Sequence, residues 1–259
     1  MLCRDIMKVI ETTYPKHAAL EWDNVGLLVG RTEKEVHKIY VALDATDKVI
    51  EDAIMAEADM LITHHPLLFS PLKKITDEHF IGSRVVKLLQ HDISYYAMHT
   101  NYDVLGMAEL SGAILGLSDM EVLEVTDSEQ MEGIGRVGSL PCQMTVQACC
   151  ELVKEKFQLE TVKVFGDVNK MVKRVAISPG SGKGMVDIAL QKGAEVLITG
   201  DIAHHEGIDA VAQGIAIIDA GHYGLEHIFV DDMAAYLTKH FSDIETFIQA
   251  LRELRPDRK

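Results

Sequence analysis

The feature that most constrains the fold is a short apolar segment that occurs twice in similar form. ADMLIT ends at Thr63 and AEVLIT ends at Thr199, and each follows a predicted strand and a predicted helix of similar length. Short apolar strands that alternate with helices are typical of layered α/β proteins with mostly parallel sheets. The repeat favours two similar α/β domains from an internal duplication, with two unrelated strand–helix–strand units as the alternative.

A polar, glycine-containing stretch separates the two halves. It covers residues 118–140, SDMEVLEVTDSEQMEGIGRVGSL, and is interpreted as the place where the chain crosses between domains. We therefore expect a first domain from residues 1–124 and 220–259, and a second from residues 125–219. The tail fits this division, because LEHIFVDDMAAYLTKHF is a predicted amphipathic helix and SDIETFIQA a predicted final strand that pairs with the first domain.

Charge and hydropathy argue against several classes of function. The chain has 40 acidic and 25 basic residues, a net charge of -15, and no cluster of Lys or Arg, so nucleic-acid binding is not expected. No apolar stretch approaches the roughly 20 residues that span a bilayer, and the N-terminal segment lacks the apolar region of a signal peptide. The four cysteines form no CxxC or secreted-type framework. We expect a cytoplasmic protein with reduced thiols and no membrane contact.

Candidate metal ligands follow four of the predicted strands, at the carboxyl ends where functional groups of α/β sheets collect. Two of the clusters place a carboxylate four residues after a histidine, which puts both side chains on one face of a helical turn. Imidazole and carboxylate together suit Zn, Mn or Fe, and several such groups can bridge two ions. The four clusters are His64 and His65; His99 and Asp103; Asp201, His204 and His205; and Asp219, His222 and Glu226.

Each cluster also has an ordinary interpretation. A single histidine at a strand end more often packs or faces solvent, and a histidine–acid pair on a helix is usually solvated. The metal interpretation therefore depends on the coincidence of four such clusters at the same ends of strands.

Two further features each have two interpretations. The segment SPGSGKG (178–184) is not a Walker A loop, because that motif needs a glycine where Ile177 stands and Ser or Thr where Gly184 stands. Gly180–Gly182 form either a tight turn or an anion-binding turn. Trp22, the only tryptophan, either packs the domain or forms the wall of a pocket.

Five motifs in this order resemble the Nif-three-like family, also called GTP cyclohydrolase I type 2 homologues: EWDNVGLLVG, ITHHPLLF, HTNYDV, TGDIAHH and GHYGLE. They extend from the N-terminal region to beyond position 220, and the chain resembles the compact form without the inserted middle domain. The resemblance implies two α/β domains and a homohexamer. It also implies two divalent ions per subunit, with His64, His65, Asp103, His222 and Glu226 as ligands.

The resulting hypothesis is a metal-dependent hydrolase that acts on a nucleotide or a related small molecule, as a GTP cyclohydrolase would. His99 and His205 are the predicted catalytic residues, because a histidine can carry protons near neutral pH. Whether the protein is an enzyme stays open at this point. The same ligands would serve a non-catalytic metal chaperone, store or regulatory protein, and a purely structural assembly protein is a third alternative.

Overall fold

The computed structural model describes residues 1–250, which form two compact units. One unit contains Met1–Tyr102 together with residues 229–250, and the other contains Asp103–Ile228. The chain thus leaves the first unit after residue 102 and returns to it at residue 229. The boundaries expected from the sequence are residues 124 and 220. Each unit contains one sheet with helices, so the predicted α/β class with two sheets is confirmed.

The first part of the chain alternates strands and helices as predicted. α1 ends before Pro15, because the residue that precedes a proline disfavours helical geometry. Thr46 begins α2 by accepting a hydrogen bond from the Val49 amide. The elements of this part are α1 (Cys3–Thr13), a 3₁₀ turn (Lys16–Ala18), β1 (Gly26–Val29), β2 (Lys38–Ala42), α2 (Asp47–Met55), β3 (Met60–Thr63), α3 (Phe80–Gln90), β4 (Ser94–Ala97) and α4 (Thr100–Tyr102).

The second unit begins with a π-helix, and the last two elements of the chain carry it back to the first unit. No helix in residues 1–250 is long and apolar enough to cross a bilayer. The elements are the π-helix (Asp103–Met107), α5 (Ala108–Leu115), β5 (Ser118–Asp127), β6 (Glu132–Thr145), α6 (Val146–Lys156), β7 (Lys163–Phe165), β8 (Met171–Ser181), α7 (Met185–Gln191), β9 (Val196–Gly200), α8 (His204–Ala212), β10 (Ala216–Asp219), α9 (His222–Glu226), α10 (Ile228–His240) and β11 (Glu245–Ile248).

The sheet of the first unit is mostly parallel, with strand order β1-β4-β3-β2-β11. Only the pairing of β1 with β4 is antiparallel. β11 pairs with β2, which confirms the predicted final strand and its partner domain. Because β2, β3 and β4 are parallel, their carboxyl ends share one edge of the sheet, and the residues that follow them are brought together there.

The sheet of the second unit is mixed, with strand order β5-β6-β8-β9-β10-β7. Only β8, β9 and β10 are mutually parallel, so the expectation of a mostly parallel sheet is wrong for this unit. The interpretation of residues 118–140 as a crossing segment is also wrong, because β5 and β6 form a long antiparallel hairpin there. Leu123 is the one buried residue of β5. A strand as exposed as this lacks the continuous apolar run that is typical of strands in a buried parallel sheet.

The two copies of the repeat have equivalent places in their sheets. β3 lies between the parallel strands β2 and β4, and β9 lies between the parallel strands β8 and β10. Every residue of β3 and β9 is buried. Their apolar runs reflect burial on both faces of the sheet, and the polar residues that follow each run are held at its edge.

Thr145 provides a test of local helix stability in the second unit. Its side-chain oxygen accepts a hydrogen bond from the Ala148 amide at 3.1 Å and so caps α6. We expect Thr145→Ala to lower the free energy of unfolding by about 1 kcal/mol, because an amide at the helix start loses its acceptor. Urea unfolding measures the change. Thr145→Ser keeps the acceptor, and an equal loss in that variant would show that the cap is not responsible.

Candidate metal centre

The segment that carries His64 and His65 is fixed by a buried hydrogen-bond network at the end of β3. The Leu67 amide donates to the Tyr95 hydroxyl at 2.8 Å, and the Tyr95 hydroxyl lies 2.7 Å from the Thr63 hydroxyl. The Thr63 hydroxyl in turn donates to the carbonyl oxygen of His65 at 2.8 Å. Burial raises the pKa of Tyr95 well above its ordinary value, so its phenol keeps the proton that this network needs. The backbone around both histidines is thus held on each side.

Three histidines of the first unit have their Nδ1 atoms held by oxygen acceptors. His64 Nδ1 donates to the Met98 carbonyl at 2.8 Å, and His65 Nδ1 donates to Asp44 Oδ1 at 2.7 Å. His99 Nδ1 donates to Asp23 Oδ1 at 2.9 Å. A neutral histidine that donates through Nδ1 carries its lone pair on Nε2, which is the form that binds a metal ion.

These three histidines are also close to one another. Their candidate ligand atoms all lie within 4.8 Å of one another, and the His64 ring centroid is 4.9 Å from that of His65 and 5.3 Å from that of His99. Imidazoles are common ligands of Zn²⁺. His64 and His65 can therefore serve as ligands, with the predicted catalytic His99 next to them. The donor set of the first unit therefore fits a divalent ion.

Asp23 is the most strongly anchored carboxylate of this site. Its side chain is fully buried and accepts hydrogen bonds from the Thr100 amide at 3.0 Å and from the Thr100 hydroxyl, besides the bond from His99. Burial raises the pKa of Asp23, but the hydrogen bonds from His99 and Thr100 outweigh it and lower the pKa to about 2. The carboxylate is therefore charged over the whole ordinary pH range and fixes the orientation of the His99 ring.

In the second unit, α9 confirms the predicted pairing of a histidine with an acid four residues later. His222 Nε2 lies 3.0 Å from Glu226 Oε2, and His222 Nδ1 lies 2.8 Å from Asp201 Oδ2. The hydrogen bond to Glu226, opposed by burial and supported by Asp201, raises the pKa of His222 to about 9. An ion that binds His222 must displace a proton, so acidic conditions oppose binding.

Close packing against this pair explains two glycines, one of which lies in the segment 178–184 that resembles a phosphate loop. Gly180 has φ +75°, and a Cβ atom there would lie 2.4 Å from Glu226 Oε1. A Cβ atom on Gly200 would lie 2.5 Å from the His222 amide nitrogen. Both glycines are therefore required by the close approach of the residues of α9, a reason that the sequence motif alone does not reveal.

The other predicted site residues lie in the second unit. Asp103 is half-buried and is the first residue of the π-helix. His205 is exposed on the first turn of α8, and its ring centroid is 5.5 Å from that of His204.

Sequence reasoning missed the roles of Asp44 and Asp23 as partners of the histidines. Asp44 follows β2, so the rule that functional groups collect at strand ends could have found it. Asp23 precedes β1 and follows no predicted strand, so the same rule does not identify it. Trp22, which precedes it, does not pack in the core: its side chain is 63% exposed and its ring centroid is 5.9 Å from that of His99.

Comparisons with known proteins give consistent matches over nearly the whole chain. The model of the family described as Duf34/NIF3 (NGG1p interacting factor 3) matches residues 1–253. A Clostridium perfringens protein described as a GTP cyclohydrolase 1 type 2 homolog is 36% identical over 228 residues, which are 87% of this chain and 87% of that protein.

Solved structures give the same result. A Staphylococcus aureus hypothetical protein superposes with a TM-score of 0.91 at 29% identity, and the match covers 100% of this chain and 99% of that one. A Bacillus cereus protein described as related to NIF3 superposes with a TM-score of 0.88 at 25% identity over 97% of each chain.

Proposed function

This chain belongs to the Duf34/NIF3 family, and we propose that it is a metal-dependent hydrolase that acts on a nucleotide or a related small molecule. The observation that carries the proposal is the arrangement of His64, His65 and His99. Each presents an imidazole oriented through Nδ1, and one ring nitrogen of each lies within 4.8 Å of those of the other two. Two of these histidines are predicted ligands, and the third, His99, is the predicted catalytic residue. Orientation by backbone and carboxylate oxygens is the usual arrangement around histidines that bind catalytic metals.

The finer form of the proposal is a dinuclear centre in a homohexamer. The resemblance to the family assigns two divalent ions, Zn, Mn or Fe, to His64, His65, Asp103, His222 and Glu226. Imidazoles and carboxylates in this mixture suit such ions. The description of the Clostridium perfringens relative makes GTP the first substrate to test.

In the proposed reaction, the ion and the side chains have different roles. A bound divalent ion would supply Lewis-acid catalysis, which polarises the bond under attack and activates water near neutral pH. His99 is placed to carry a proton, since the Asp23 carboxylate at its Nδ1 fixes the orientation of the ring. His205 is the second proposed proton carrier, because its exposed ring can exchange protons with solvent.

A single experiment separates this proposal from a non-catalytic metal chaperone, store or regulatory protein. The protein is purified without chelators, its metal content is measured, and hydrolysis of GTP, other nucleotides and phosphoesters is assayed with Zn, Mn and Fe. We expect His99→Ala to lower kcat by about a hundredfold with both ions retained, since a positioned proton carrier contributes on that order.

The matched control is His91→Ala, which removes an exposed histidine at the end of α3. If no substrate turns over with any of these metals while the ions exchange readily, the protein is a metal handler and the hydrolase proposal is wrong. If His99→Ala loses an ion, His99 is a ligand rather than a proton carrier.

A further inference from the structure

Two exposed aromatic side chains lie against the same histidine of the first unit. Trp22 is 63% exposed and Phe69 is 55% exposed. The ring centroid of Trp22 is 5.9 Å from that of His99, and the ring centroid of Phe69 is 5.7 Å from it. Both rings stand nearly perpendicular to the imidazole, at 73° and 84°. Large apolar side chains are thus presented to solvent beside the predicted catalytic residue His99.

The loops that carry these rings are anchored. Asp23, next to Trp22, is fixed by His99 and Thr100. Asn24 Nδ2 donates to the carbonyl oxygen of Leu68, at 2.5 Å, and so joins the loop of Trp22 to the loop of Phe69. The backbone at both rings is held in place, so their exposure is a property of the fold rather than of loose segments.

A cavity of about 260 Å³ adjoins this position. Phe69 and His65 both line it, with Leu67 and Ile81 as further apolar walls and Arg84 as a charged one. Sites for drug-sized ligands have volumes of roughly 300–1,000 Å³, so this cavity suits one ring with a small substituent.

We propose that Trp22 and Phe69 bind a planar aromatic or heteroaromatic ring of the substrate, next to His99 and His65. The identification of this ligand as a substrate rests on the proposed function. Aromatic side chains bind flat rings through their faces and edges, and every nucleobase has such a face. A ring bound there lies beside the imidazoles, so its substituents reach the groups that would act on them.

Trp22 makes the test direct, because it is the only tryptophan and its fluorescence reports on this position alone. Guanosine, adenosine and nicotinamide are titrated into the full-length protein, with ribose 5-phosphate as the compound that lacks an aromatic ring. We expect saturable changes in Trp22 emission with the ring compounds and none with ribose 5-phosphate. N-acetyltryptophanamide, titrated in parallel, corrects for light absorbed by the compounds.

Phe69→Leu tests the second ring. We expect it to raise the Kd of the ring compounds about tenfold, as the loss of one stacking partner does. The matched control is Leu89→Ala, which shortens an apolar side chain that is 53% exposed and does not line the cavity. Circular dichroism checks that both variants are folded.

Three results would overturn the inference. One is the absence of a saturable response to any ring compound, and another is an equal Kd for wild type, Phe69→Leu and Leu89→Ala. The third is a Trp22 signal that depends on protein concentration but not on ring compounds, which would place a second copy of the chain there. Saturable binding without hydrolysis would leave the ring site intact and remove only the proposed hydrolase activity.

Discussion

His65→Ala is expected to lower the affinity of the protein for a divalent ion by about a hundredfold or more. Replacing a group that merely orients a ligand typically costs 10–100-fold, and His65 would be a ligand itself. Its Nδ1 atom is held by Asp44 at 2.7 Å, and its candidate ligand atom lies within 4.8 Å of those of His64 and His99. The side chain is partly exposed, so its removal should leave the fold intact.

The measurement has two parts. Metal content is determined by elemental analysis of protein purified without chelators, and the Kd for Zn²⁺ is measured by competition with a chromophoric chelator. Asp44→Ala should have a smaller effect, about 10–100-fold, because it removes only the acceptor at Nδ1. His91→Ala should bind as wild type does. A His65→Ala protein with wild-type metal content and Kd would show that the ion binds elsewhere.

The parallel strands and the histidines at their ends were predictable from sequence because one physical signal marks both. A strand buried on both faces needs a continuous apolar run, as in β3 and β9, and the chain becomes polar where the strand reaches the sheet edge. The pair His222 and Glu226 was predictable because helical spacing is local.

The parts that were missed depend on contacts that are distant in sequence. Asp44 is 21 residues from His65 and Asp23 is 76 residues from His99, so neither pairing can be recognised from spacing along the chain. The β5–β6 hairpin was missed for a different reason. β5 is mostly exposed, and both strands carry mixed polar and apolar residues. Such a sequence resembles a connecting segment when the strand pairing is unknown.

Asp23→Ala is expected to lower the free energy of unfolding by about 3 kcal/mol. The substitution leaves the Thr100 amide, the Thr100 hydroxyl and His99 Nδ1 without their shared acceptor in a buried place. A hydrogen bond to a charged group contributes about 1.5–3 kcal/mol, and removing one partner of a buried charged network costs a few kcal/mol. Urea unfolding followed by circular dichroism measures the loss. Asp77→Ala, at an exposed aspartate of the same unit, should change stability by no more than about 0.5 kcal/mol.

The pH dependence of this contribution has a definite sign. The pKa of Asp23 falls from 3.8 to about 2 on folding, so the native protein binds the proton more weakly than the unfolded chain does. The stabilisation is therefore complete above the unfolded pKa and is lost as the pH falls toward 2. Asp23→Asn cannot ionise, so the difference in stability between wild type and this variant should be constant from about pH 5 upward and should narrow between about pH 4 and pH 2. If the difference in stability between wild type and Asp23→Asn stays the same down to pH 3, the charge of Asp23 does not stabilise the fold. Asp23 would then hold His99 and Thr100 through hydrogen bonds that do not need the charge.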